Sequence, residues 1–140
     1  MNLAAGLAGA ILAVIALFHA LWGLGFSVPA ADRVALAHMV IGQAAVPPAA
    51  ACFVVALGVS GIALAATLAG GLIAEPASLV LVARAICWLA VVVFAARAVG
   101  GYLPQFEQLF ALEPFHTLNR IVYSPLCGVL AALLAVTARA

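Results

Sequence analysis

Apolar residues run along this chain in four long blocks with almost no polar interruption, and each block is long enough for the about 20 residues that cross roughly 30 Å of hydrocarbon. They predict transmembrane helices near Leu3 to Phe26, Pro48 to Ile73, Ser78 to Gly100 and Leu118 to Thr137. The helix breakers fall at the block ends. Ser27, Val28, Pro29 and Ala30 close the first block, Pro47 and Pro48 open the second, and Glu75-Pro76 makes a tight turn into the third. Pro104 and Pro114 bracket the connection at 101–117, whose Tyr102, Phe106, Glu107, Phe110, Glu113 and Phe115 predict an amphipathic segment lying at the membrane surface. The predicted architecture is all-α: one transmembrane domain over 1–140, an integral membrane four-helix bundle with up-down-up-down, antiparallel order. Val28-Pro29-Ala30 resembles a signal-peptide cleavage motif, but the preceding block lacks a basic n-region and is too long for an h-region, so it reads as a mature span.

Small residues form stripes on two of the predicted helices. Ala56, Ser60, Ala63, Thr67 and Gly70 share one face of the second, and Ser124, Gly128, Ala131, Ala135 and Ala138 one face of the fourth. Such faces let backbones approach closely where lipid offers no hydrophobic drive to association. They serve either a compact bundle or a homo-oligomer interface.

Composition sharpens the class. Of 140 residues 69% are apolar and only nine carry a formal charge, against about 45–50% apolar and about 25% charged in soluble domains. A mean hydropathy of +1.36 excludes a disordered chain. The net charge of +1, with no basic run, excludes a nucleic-acid binder. Cys52, Cys87 and Cys127 stand singly inside apolar segments, so neither a disulfide framework nor a metal site is expected. Every basic residue is Arg, and Ala and Gly are abundant, a bias typical of GC-rich bacterial genomes; the expected location is the bacterial cytoplasmic (inner) membrane. Arg84 and Arg139 fall on the side of the termini and Arg33, Arg97 and Arg120 on the other, a difference too small to orient the chain by its basic residues.

Ionisable and polar groups inside a membrane are costly, which makes them the pointers to a site. His19 and Trp22 lie one turn apart in the first span, Arg97 shares a face with Cys87, Ala90 and Phe94 near the end of the third, and His116, Asn119 and Tyr123 follow one another at helical spacing in the fourth. In an up-down bundle these residues and Tyr102 gather at one membrane surface. His19, Trp22, Arg97, Tyr102, His116, Asn119 and Tyr123 are therefore the candidate ligand-binding residues, suited to an anionic or carbonyl-bearing amphiphile. The competing reading makes them anchors: Arg97 snorkelling, His19 bonded to a backbone carbonyl across helices, Tyr102 and Trp22 in the interfacial belt. Arg97 is expected to turn inward and bond to Asn119 or a nearby carbonyl, with further contacts to Tyr123, His19, water or an anion. Arg84 reads as a snorkelling side chain, and Ser124-Pro125 as a helix kink. Haem ligation needs two histidines at matching depth; His38 and His116 fall in or beside connections, so haem is not expected and the cofactor stays open.

Three strings carry a family resemblance. Phe18-His19-Ala20-Leu21-Trp22, Arg97-Ala98-Val99-Gly100 with Tyr102, and Phe115-His116-Thr117-Leu118-Asn119 followed by Tyr123-Ser124-Pro125-Leu126-Cys127 resemble a family of small bacterial four-helix membrane proteins catalogued as domain of unknown function three-nine-nine-five. The resemblance spans nearly the whole chain and is most specific at Tyr-Ser-Pro-Leu-Cys. It implies a fold and a membrane location and lends no activity. Where that family usually has Asp, this chain has Asn119, so a neutral amide replaces a carboxylate opposite Arg97.

The function these observations predict is non-enzymatic: binding a lipid-like or quinone-like molecule, or service as an accessory subunit of a membrane assembly. Membrane lipids, a second copy or a larger membrane complex are the expected partners. The alternative is an intramembrane enzyme or proton-coupled carrier in which His19 and Tyr123 handle protons and Arg97 holds an anion or carbonyl.

Overall fold

A computed structural model describes residues 2–140. Helix α1 spans Leu3–Gly23, α2 Arg33–Val40, α3 Ala49–Ala69, α4 Ala77–Gly100, α5 Pro104–Leu109 and α6 Phe115–Leu118. A π-helical turn over Asn119–Tyr123 then leads without a break into α7, Ser124–Arg139. Four helices are long and apolar enough to cross a membrane: α1, α3, α4 and the continuous Phe115–Arg139. Each of the four packs on its two neighbours in the ring α1, α3, α4, α7, with the α1–α3 and α4–α7 seams the broadest. The short helices α2 and α5 lie in the two connections at one end, and α6 is the first turn of the fourth span.

Local signals set the helix ends. Asn2 caps α1 by accepting from the Ala4 and Ala5 amides, and Asp32 caps α2 by accepting from Ala35. The first two long helices stop at Gly23 and Ala69, short of the Phe26 and Ile73 predicted from hydropathy. At both ends a glycine takes positive φ, Gly25 at 98° and Gly71 at 68°. The amides of Phe26 and Leu72 then bond back to Leu21 and Thr67. These paired bonds satisfy the last carbonyls in a Schellman motif, which ends a helix whatever the polarity of the next residue. Gly42, at φ 63°, sits against the backbone of Phe110 and the ring of Phe115, where the two connections meet; a Cβ there would collide with both.

The core is built mainly from small side chains. Ala8 and Leu12 of α1, Ala65, Ala66 and Ala69 of α3, Ala83, Cys87 and Ala90 of α4, and Leu130, Leu134 and Ala138 of α7 form one buried cluster. Leu12, Leu130 and Leu134 are the large side chains among them, while other leucines point outward, Leu57 at 74% and Leu81 at 70% exposure, as expected when the surroundings are hydrocarbon. The stripe on α7 faces this core through Ser124, Ala131 and Ala138. That on α3 does so only in part: Ala56 is buried but Ser60 is exposed, and the inner line runs through Ala65, Ala66 and Ala69.

Candidate functional site

At the end of the bundle that carries the connections, the polar side chains fall into separate groups. The first is centred on Arg97, in the last turns of α4. Its Nη2 donates to Asn119 Oδ1 at 2.8 Å and its Nη1 to Ser124 Oγ at 3.3 Å. Ser124 Oγ donates in turn to Asn119 Oδ1 at 3.2 Å, and Asn119 Nδ2 donates to the Gly101 carbonyl at 2.6 Å. Asn119 and Ser124 are each 1% exposed. The guanidinium lies over the Phe106 ring of α5, 4.6 Å from its centroid, an arrangement that favours a cation. Among the described residues, no carboxylate pairs with Arg97. The inward turn and the bond to Asn119 follow the expectation; the contacts expected with Tyr123 and His19 do not form, and Ser124 and Phe106 meet the guanidinium instead.

The π-turn explains how Ser124 joins. Five residues of α-helix would set the side chains of Asn119 and Ser124 about 140° apart. Widening one turn, with the Ser124 amide bonded to the Asn119 carbonyl, brings both to the face that meets α4. Ser124-Pro125 therefore marks a wide turn. An amide suits position 119: its oxygen faces two donors while its nitrogen faces a carbonyl, so both ends of the side chain are satisfied. Gly101 is the close-approach point, since a Cβ would run into Ser124, Arg97 and Asn119.

The second group is His19 with Trp22 on α1. His19 Nδ1 donates to the Ile15 carbonyl, 2.8 Å away and one turn back in its own helix rather than across to another. Its ring packs on Trp22, with centroids 4.8 Å apart. Trp22 Nε1 donates to the Val28 carbonyl at 2.8 Å, and Arg33 Nη1 reaches the Trp22 carbonyl at 3.3 Å, so α1, the loop and α2 are tied together. His19 and Trp22 form one wall of a cavity of about 180 Å³. Leu36 and Val40 of α2, Ile41, Val46 and Pro47 of the loop, and Ala51, Cys52 and Val55 of α3 complete it. Among the described residues His19 Nε2 has no hydrogen-bond partner, and the atom keeps accessible surface.

The remaining candidates hold the short helices in place. Tyr123 donates to the Met39 carbonyl at 2.9 Å and packs against Phe115, which ties α2 to the fourth span. His116 lies 3.8 Å from Glu107 and 3.4 Å from Glu113; Glu107 also pairs with Arg120 at 3.2 Å. Tyr102 donates to the Arg120 carbonyl at 2.9 Å. The backbone N–H of Thr117, followed by its hydroxyl, holds the Glu113 carboxyl below its ordinary range. The seven sequence candidates thus share one end of the bundle but no single pocket: Arg97 bonds Asn119, His19 packs on Trp22, His116 and Tyr102 meet through Arg120 and Glu107, and Tyr123 holds Met39. The sequence did not point to Ser124 as an Arg97 partner, to Gly101 as the acceptor for Asn119, to Phe106 beneath the guanidinium, or to Leu36 and Val40 as cavity walls. Adjacency to Tyr123 and the Gly-Gly pair after Arg97 were the only signals for the first two.

Fold and site together define a four-span, all-α bundle of the membrane type, with a half-buried arginine knot between α4 and the start of the fourth span and an apolar chamber beneath α2. The chain belongs to the family described as Protein of unknown function (DUF3995), whose model matches residues 12–134. No curated protein and no solved structure matches the chain.

Proposed function

We propose that this protein is a non-enzymatic component of the bacterial cytoplasmic membrane that binds a small lipid-like or quinone-like molecule in the chamber between α1, α2 and α3. One observation carries the reading: a cavity of about 180 Å³ with mainly apolar walls that include His19, whose Nε2 has no hydrogen-bond partner among the described residues. Apolar walls with one or two well-placed polar groups are the usual make-up of a small-molecule site. Trp22 does not compete for a ligand, because its N–H is already given to Val28. The proton-handling alternative finds less support, since the hydroxyl of Tyr123 is committed to Met39 and Arg97 to Asn119 and Ser124.

Native mass spectrometry after gentle extraction tests the proposal. The wild-type chain should retain a small molecule, and Ala51→Phe, which puts a ring into the chamber, should lose it. A wild-type chain that flies bare and alone refutes the proposal. A chain that carries a partner subunit and no small molecule favours the accessory-subunit reading instead.

A further inference from the structure

Building on the ligand reading above, we infer that the chamber is a site for a single-ring hydroxyl compound, a phenol or quinol head group that donates its O–H to His19 Nε2. Size comes first. A cavity of about 180 Å³ is close to the dry engineered cavity of about 150 Å³ that takes up benzene in another protein. That volume matches one six-membered ring. Val55 is the one exposed residue among the walls, at 41%. Any hydrocarbon tail on the ring leaves past it, on the side of α3 that faces lipid.

Polarity then selects among rings. A carbonyl can only accept, so the contact between His19 and Ile15 places a proton on Nδ1. In the neutral imidazole the other nitrogen, Nε2, is then an acceptor. Among the described residues no carboxylate pairs with His19. A ligand carbonyl placed against Nε2 would set lone pair against lone pair, whereas a hydroxyl completes a hydrogen bond. The remaining wall groups reinforce the choice: Trp22 has spent its N–H and presents its ring, and Cys52 brings only a weakly polar thiol. The site therefore prefers the reduced, hydroxyl-bearing form of a redox-active ring to its quinone form, and a phenol to its ether.

Three probes separate the ring from the hydroxyl: 4-methylphenol, 4-methylanisole and toluene, each referred to its concentration within the micelle. Binding is read from Trp22 emission in a Trp88→Phe background, which leaves one tryptophan, in the chamber wall. The phenol should bind about tenfold tighter than either other probe, a ratio that corresponds to about 1.4 kcal/mol. In His19→Phe, which keeps a ring against Trp22 but removes the acceptor, the ratio should fall to about one. In the wild-type chain the Nε2 ¹⁵N resonance of His19 should move with the phenol and stay put with toluene, a readout that does not depend on any variant at position 19. Toluene binding as tightly as the phenol overturns the hydroxyl inference while leaving the chamber a ring site. Tighter binding of the ether overturns it in favour of an Nε2 donor. Failure of all three probes to bind overturns the inference and the chamber reading together.

Discussion

Replacing Arg97 by Leu should destabilise the bundle, and the same change at Arg84 should not. Arg97 makes two hydrogen bonds between α4 and the start of the fourth span, at 2.8 and 3.3 Å, and stacks on Phe106. Interhelical hydrogen bonds in membranes average about 0.6 kcal/mol each and reach about 1.7. Two of them contribute about 1–3 kcal/mol, and the cation–ring contact about 0.5–1 more. Asn119 and Ser124 keep their bond to each other, and Asn119 keeps Gly101, so neither is fully orphaned. The net cost of Arg97→Leu is therefore about 2–3 kcal/mol. Arg84 presents the opposite case: its Nε is enclosed without a partner. Leucine there removes an unsatisfied donor whose burial costs about 1–3 kcal/mol, so Arg84→Leu should be neutral or stabilising. Reversible unfolding by sodium dodecyl sulfate in mixed micelles, followed by tryptophan emission, gives both values on one scale. Arg97→Lys should fall between wild type and Arg97→Leu, because an ammonium keeps the charge but cannot fork to two acceptors. Equal stability of the two leucine variants, or a lower value for Arg84→Leu, refutes the stabilising role of the arginine knot.

Gly101→Ala should cost about 1–3 kcal/mol by forcing apart Ser124, Arg97 and Asn119, while Gly100→Ala, whose Cβ meets nothing within 4 Å, should be neutral or stabilise slightly in the same titration. Leu134→Ala empties a fully buried core position and should cost about 2–5 kcal/mol; Leu89→Ala, at a side chain 67% exposed, should leave the midpoint nearly unchanged. Glu113 is ionised more readily in the folded chain, so its contribution is present above the ordinary carboxylate range and is lost as pH falls through its lowered value. The protection factor of the Thr117 amide should accordingly drop across that acidic window in the wild type and stay flat in Glu113→Gln.

The fold class was legible because a bilayer leaves so few options: every backbone group in hydrocarbon must be paired internally, so four apolar blocks of spanning length determine four helices without any tertiary knowledge. The Arg97–Asn119 contact was legible for a similar reason. Arg97 lies on the face of Cys87 and Ala90, small residues that mark a packed surface, and Asn119 enters from the adjoining helix at the same level. What hydropathy overshot was the ends of α1 and α3, where the backbone of Gly25 and Gly71 decides and side-chain polarity does not. The rest belongs to the tertiary structure. The π-turn that brings Ser124 beneath Arg97 has no periodic signature, because Asn119 and Ser124 lie on different faces of the α-helix the pattern predicts. The chamber depends on α2 folding back over α1 and α3, held by a bond from Tyr123 to the carbonyl of Met39, 84 positions away. Tyr123 stands out in the sequence but its acceptor does not, since a backbone carbonyl looks the same in every residue. A cavity is the space left between packed elements, so its shape, and the place of His19 in its wall, emerge only once the elements meet.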